Sequence, residues 1–136
     1  MKKILIVCTG NSCRSQMAEG LVNALWGDRW KADSAGTKPS IINRLAIKAM
    51  AEIGIDISGQ KSKHVDQFIG QSIDIVVTVC DDAAENCPFI PGARRTVHMP
   101  IPDPAEYTDL PEEIAMPHFR EARDRLKREL DVLLNS

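Results

Sequence analysis

Aromatic side chains are scarce in this chain, at 4% of 136 residues, which leaves little material for a slot that reads a substrate ring. Long apolar runs are missing too. The longest, Ile4-Leu5-Ile6-Val7 and Ile75-Val76-Val77, are strand-sized and far below the roughly 20 residues of a membrane-spanning helix. Lys2 and Lys3 precede only four apolar residues, too few for the core of a secretion signal, so the chain reads as a soluble cytosolic protein. Neither sign of charge dominates. With 17 basic and 19 acidic residues the net charge is -2, which gives no broad field for nucleic acid or an anionic membrane, and any bound anion must be held locally. There are only four cysteines. A chain with 43% hydrophobic residues and no secretion signal has little use for them as structural disulfides, so reactive thiols are the expectation.

What is present reads as an alternation of strands and helices. Ile4 to Val7 is a continuous apolar run of the kind found in a strand buried on both faces. Met17, Ala18, Leu21, Val22, Leu25 and Trp26 then recur at helical spacing up to Gly27. Trp30 to Ala35 is a weaker strand candidate, and Asn43 to Ile53 has a helical pattern closed by Gly54. Val65 to Ile69 suggests a short helix and Ile73 to Val79 a strong strand. Asp81 could cap a short helix that Pro88 interrupts, and Arg95 to Met99 could be the last strand. Glu112 to Leu134 forms a long helical segment, with a break expected near Pro117. The pattern predicts an α/β fold: one three-layer domain over residues 1–136 with a four-stranded parallel sheet. Neither repeat nor linker is visible. Ligands of such sheets sit beyond the carboxyl ends of the strands, where Cys8, Cys80 and the loop after Met99 should emerge together.

The first of those turns carries the strongest chemical signal. In Cys8-Thr9-Gly10-Asn11-Ser12-Cys13-Arg14-Ser15, a cysteine ends a buried strand, Gly10 permits a tight turn, and Arg14 with Ser15 opens a helix. Consecutive backbone N–H groups from Thr9 through Arg14 can then curl around a tetrahedral oxyanion at the helix's positive end. Arg14 offers a planar fork for two of the anion's oxygens. The same field favours Cys8 as a thiolate nucleophile, Ser15 can add a hydroxyl hydrogen bond to the sulfur, and Asn11 tolerates a left-handed backbone angle or holds the loop's shape.

This loop resembles that of the low-molecular-weight protein tyrosine phosphatases and of the arsenate reductases that share their fold. The resemblance extends through Gln16-Met17-Ala18-Glu19-Gly20, Ser34-Ala35-Gly36, Gly54-Ile55-Asp56-Ile57-Ser58, Val77-Thr78-Val79-Cys80 and Asp103-Pro104. It implies a pocket sized for phosphate or arsenate in which Cys8 attacks and Arg14 stabilises the transition state. It also makes Asp103, in the stiff stretch Pro100-Ile101-Pro102-Asp103-Pro104, the general acid for the departing oxygen. Without the resemblance, an Asp before Pro reads simply as a turn.

Loop and acid serve a phosphatase and a reductase alike, so the other cysteines must separate the two. Hydrolysing a phosphocysteine has no use for Cys80 and Cys87, whereas reducing arsenate takes two electrons that a thiol pair supplies by closing to a disulfide. The pattern looks like the thioredoxin-coupled arsenate reductases. Carried over, Cys8 forms the arsenic adduct, Cys80 attacks Cys8 to release arsenite, and Cys87 attacks Cys80, leaving a disulfide for thioredoxin. Residues seven apart on a helix lie about 10 Å apart along its axis, beyond disulfide reach, so residues 81–90 should loop out or unwind on oxidation. The competing readings are a phosphatase working through a Cys8 phosphocysteine, and a redox-sensing or anion-binding module without turnover. Cys13 is either a packing residue or a partner for an off-pathway disulfide with Cys8.

Reductases of this type often hold a potassium ion with residues resembling Asn11, Glu19 and Ser34 plus a Thr and an Asp. Here Gln60-Lys61-Ser62-Lys63-His64 puts two lysines where the last two would stand. Either a lysine ammonium replaces the ion or the site is absent, so no metal and no cofactor is expected. His64, His98 and His118 lack ligand spacing with the cysteines. Tyr107 and Trp30 or Trp26 could line a phosphotyrosine slot, but the scarcity of rings favours a small inorganic substrate. The expected partners are arsenate, or phosphate or sulfate in the same loop, and thioredoxin, with a monomeric protein.

Overall fold

A computed structural model describes residues 1–80 and 90–135. Strand β1 (Lys2–Cys8) pairs in parallel with β2 (Trp30–Gly36) on one side and β3 (Ile73–Thr78) on the other, and β4 (Ala93–His98) adds to β3. The order β2-β1-β3-β4 puts the two most apolar strands in the centre, where both faces are covered. Side chains alternate accordingly: Ile4, Ile6 and Cys8 enter one cluster with helices α1 (Arg14–Leu25), α2 (Arg44–Ala51) and α3 (Glu112–Leu134). Leu5 and Val7 enter a smaller cluster on the opposite face, with Val65 and Phe68 of a short 3₁₀ turn (Val65–Phe68) and Ile90. The fold is therefore the single α/β domain with a four-stranded parallel sheet that the alternation of elements predicts, and the sheet lies between unequal layers.

Two expectations need adjustment. Helix α3 runs unbroken from Glu112 to Leu134 with Pro117 inside it. Pro117 is exposed, while Ala115, Met116 and Phe119 beside it are buried in the main core cluster; the packed face keeps the helix continuous through the residue that lacks an N–H. The segment from Val65 is a 3₁₀ turn capped by His64 Nδ1, which accepts from Asp66 N at 3.0 Å. The helix expected after Asp81, with its interruption at Pro88, lies outside the described residues. Among the described residues no helix is long and apolar enough to cross a membrane.

One glycine is demanded by packing at the carboxyl edge of the sheet. A Cβ on Gly36, at the end of β2, would lie 2.4 Å from the Thr9 carbonyl oxygen and 3.0 Å from the Asn11 nitrogen. Only a residue without a side chain lets the turn after β1 lie against the end of β2. At Gly10, by contrast, a Cβ would meet nothing nearer than Ser12 Oγ at 3.5 Å. The residue in the left-handed region is Asn11, at φ +49°, and Gly10 is not among the positive-φ glycines, so the tight turn rests on Asn11 and Gly36 and not on Gly10.

Candidate active site

The turn between β1 and α1 is turned inside out by its neighbours. Its carbonyls are taken on the outside: Thr9 O accepts from Lys38 N at 2.9 Å, Gly10 O from Ser40 N at 3.0 Å, and Ser12 O from Asn43 N at 3.0 Å. Asn11 O accepts from Ser62 Oγ at 2.7 Å and Gln16 Nε2 at 3.0 Å. With the acceptors occupied outward, N–H groups are what the loop has left to offer an anion. Asn11 N already points inward, donating to Cys8 Sγ at 3.3 Å.

A second donor reaches the same sulfur. Ser15 Oγ lies 2.9 Å from Cys8 Sγ and accepts from Asn11 Nδ2 at 2.8 Å, so its single proton is available for the sulfur, which then serves as acceptor. Cys8, Asn11 and Ser15 are all buried. Gln16 completes the frame, donating to Asn11 Oδ1 at 3.1 Å and Lys61 O at 2.9 Å. The sequence singles out Cys8, Asn11 and Ser15 but not Gln16 or Ser62, whose hydrogen bonds leave no mark in spacing or composition.

Arg14 joins three strand ends. Its Nη1 donates to Val79 O at 3.1 Å and to Ile101 O at 3.0 Å, and its Nη2 lies 3.5 Å from Asp103 Oδ2. The guanidinium is buried, and Asp103 is 37% exposed, so the acid lies at the mouth and the arginine on the wall. Cys8, Thr9, Gly10, Ser12, Cys13, Arg14 and Asp103 line one open cavity of about 300 Å³. Asp103 Oδ1 accepts from Ala105 N at 3.0 Å, which fixes the carboxyl at the start of the turn Pro104–Tyr107.

Cys80 is buried two residues beyond Thr78, which pairs with Val7, and Val79 N donates to Val7 O at 3.0 Å. Cys8 and Cys80 thus leave adjacent strands at the same edge of the sheet, one residue apart in register. Cys87, and the unwinding expected of residues 81–90 on oxidation, fall outside the described residues apart from Ile90. Cys13 is different in kind. It sits in the core cluster, and burial, chiefly, pushes its thiol up to about 12 against a smaller opposing hydrogen bond from Ser12. A thiol so held in the protonated form suits packing, not attack.

The remaining candidates are engaged in other contacts, although Tyr107 shares a neighbouring cavity with Asp103. Trp26 and Trp30 are buried at the opposite, amino edge of the sheet, and Tyr107 stacks on His118 with ring centroids 3.5 Å apart. His98 Nδ1 pairs with Thr78 Oγ1 at 2.8 Å. The group resembling a potassium site holds a lysine. Glu19 Oε1 accepts from Ser34 Oγ at 2.7 Å and from Lys63 Nζ at 3.3 Å. An ammonium there repels a second cation, so these residues do not fit a potassium ion.

Comparison with known proteins places this geometry. The family model described as low molecular weight phosphotyrosine protein phosphatase matches residues 3–136. The chain belongs to that family. Within it, the chain is 46% identical over 129 residues to the arsenate reductase of Halalkalibacterium halodurans, covering 95% of this chain and 92% of the relative. A solved arsenate reductase in a phosphate-binding state superposes with a TM-score of 0.82 at 33% identity, over 99% of this chain and 98% of that one. Another, in an oxidised state, gives a TM-score of 0.82 at 31% identity with the same coverage of 99% and 98%. The low molecular weight phosphatase fold is thus shared along essentially the whole length of the chain.

Proposed function

We propose that this protein is an arsenate reductase in which Cys8, Cys80 and Cys87 pass electrons in sequence. The observation that carries the reading is that Cys8 and Cys80 leave neighbouring strands at the same edge of the sheet, with Arg14 donating to the carbonyl just before Cys80. A phosphatase needs Cys8, Arg14 and Asp103 only. The 46% identity to an arsenate reductase supports the same choice.

The steps balance as follows. The Cys8 thiolate forms a bond to the arsenic of arsenate, and an arsenic oxygen leaves as water after taking a proton from Asp103. The loop amides of Thr9 to Arg14 and the Arg14 guanidinium hold the remaining oxygens. The Cys80 thiolate then attacks Cys8 Sγ. A sulfur–sulfur bond forms, the sulfur–arsenic bond breaks, and its electron pair stays on arsenic, which leaves as arsenite. Cys87 attacks Cys80 in turn, freeing Cys8 and leaving a Cys80–Cys87 disulfide for an external dithiol of the thioredoxin class.

The test is arsenate-dependent NADPH consumption in the presence of thioredoxin and thioredoxin reductase, for wild type and for Cys8→Ser, Cys80→Ser and Cys87→Ser. Each substitution should abolish turnover. Full arsenate turnover in Cys80→Ser and Cys87→Ser would refute the relay. Hydrolysis of an aryl phosphate should need Cys8 but neither of the other two.

A further inference from the structure

Glu19 is a carboxylate in an expensive place. Its side chain is only 9% exposed, within α1 and facing Ser34, whose hydroxyl donates to it at 2.7 Å. A carboxylate so enclosed needs a countercharge. Lys63 supplies one, with Nζ at 3.3 Å from Glu19 Oε1 and 3.0 Å from Lys61 O. The other end of the same residue grips the anion loop: Lys63 N donates to Asn11 Oδ1 at 2.8 Å. Asn11 holds the loop's left-handed bend, at φ +49°, and its Nδ2 donates to Ser15 Oγ, the neighbour of Cys8 Sγ. An unbroken path of contacts therefore runs from the ammonium, through the Lys63 backbone, Asn11 and Ser15, to the sulfur.

We infer that Lys63 is a positioning residue, a tethered cation that neutralises Glu19 and thereby locks Asn11 and the donors around Cys8 without help from any dissolved monovalent ion. The Glu19 ion pair helps to fix where residue 63 lies, together with Gly36 N donating to Lys63 O at 2.9 Å, and that position sets the donor, Lys63 N, that orients the Asn11 amide. With the charge gone, Glu19 keeps only Ser34 as a partner among the described residues, the stretch 61–63 loses one of the contacts that hold it, and the hydrogen bond that presents Ser15 to the sulfur loosens. The inference rests on Cys8 as the nucleophile of the reading above. It needs neither arsenate nor the other thiols, so the relay can fail while this stands.

The experiment is peptide-resolved alkylation of Cys8 by iodoacetamide across pH, at constant ionic strength with either potassium chloride or choline chloride. Wild type should give the same profile in both salts, and Lys63→Arg should match it. Lys63→Ser should alkylate several-fold more slowly at a fixed pH, because fewer well-placed donors hold the sulfur as thiolate, and potassium but not choline should restore part of the rate. An unchanged profile in Lys63→Ser would overturn the inference. So would stimulation of wild type by potassium, a measurement that stands even if Lys63→Ser fails to fold.

Discussion

Replacing Gly36 by alanine tests whether the anion loop is held by packing from outside. The new Cβ would fall 2.4 Å from Thr9 O, where about 3.0 Å is the nearest approach a Cβ makes to such an atom, so the loop or the end of β2 must retreat by at least about 0.6 Å. Both partners are backbone, and neither can rotate away. Forcing one extra methyl into such a contact costs roughly 1–3 kcal/mol, or about 4–12 °C in Tm for a domain of this size. The chemical loss should be larger than the thermal one suggests, because a displacement approaching 1 Å at reacting atoms costs on the order of 100-fold in rate. The assay is kcat/KM for arsenate reduction and for aryl phosphate hydrolysis, alongside thermal unfolding. Gly59→Ala is the reference, since a Cβ there meets nothing within 4 Å and should change stability by no more than about 0.5 kcal/mol. A Gly36→Ala protein with wild-type turnover and a Tm within about a degree would refute the packing argument.

Cys13→Ala should keep both activities while lowering stability by roughly 1–2 kcal/mol for the buried sulfur it removes, checked by denaturant unfolding. A relay that fails in this variant would instead make Cys13 a participant. Glu52 gives a pH dependence away from the site. Arg120 first, then burial in opposition, and Arg123 leave its carboxyl at about 2, below its unfolded value of about 4.3. A depressed folded value means that the contribution is full above the unfolded value and disappears as pH falls from about 4.3 toward 2. Guanidinium unfolding between pH 6 and pH 2.5 should show wild type losing more stability on acidification than Glu52→Gln.

The parts of the molecule written in residue periodicity were legible in the sequence. Apolar runs marked β1 and β3 because both are buried on two faces, and helical spacing marked α1, α2 and α3. The weak point was Pro117, where a local rule suggested a break and the packing of Met116 and Phe119 overrode it. Cys8 and Arg14 could be read because their spacing and neighbours are themselves a chemical pattern, whereas Asp103, an ordinary Asp-Pro turn by itself, was singled out by the family resemblance. Gly36 was readable only as part of Ser34-Ala35-Gly36, since its steric role depends on Thr9 and Asn11 across the sheet edge. Gln16 and Ser62 could not be found, because each donates to the Asn11 carbonyl, an atom that any residue would supply, and the further bond from Gln16 to Asn11 Oδ1 depends on the fold. Lys63 was visible as a charge out of pattern, but its contact with Glu19 required the fold.

The outward bonds of the loop carbonyls have a consequence for how the protein is made. Lys38, Ser40 and Asn43, which hold Thr9, Gly10 and Ser12, follow them by about thirty residues, and Ser62 and Lys63, which hold Asn11, follow by about fifty. A ribosome that has released β1, the loop and α1 has produced both Asn11 and Ser15, which contact the sulfur, yet nothing that keeps the loop's carbonyls turned away from an anion. Such long-range closures form late relative to local helix, so the nascent amino-terminal segment carries Cys8 in a loop that stays unassembled at least until the chain has passed Lys63.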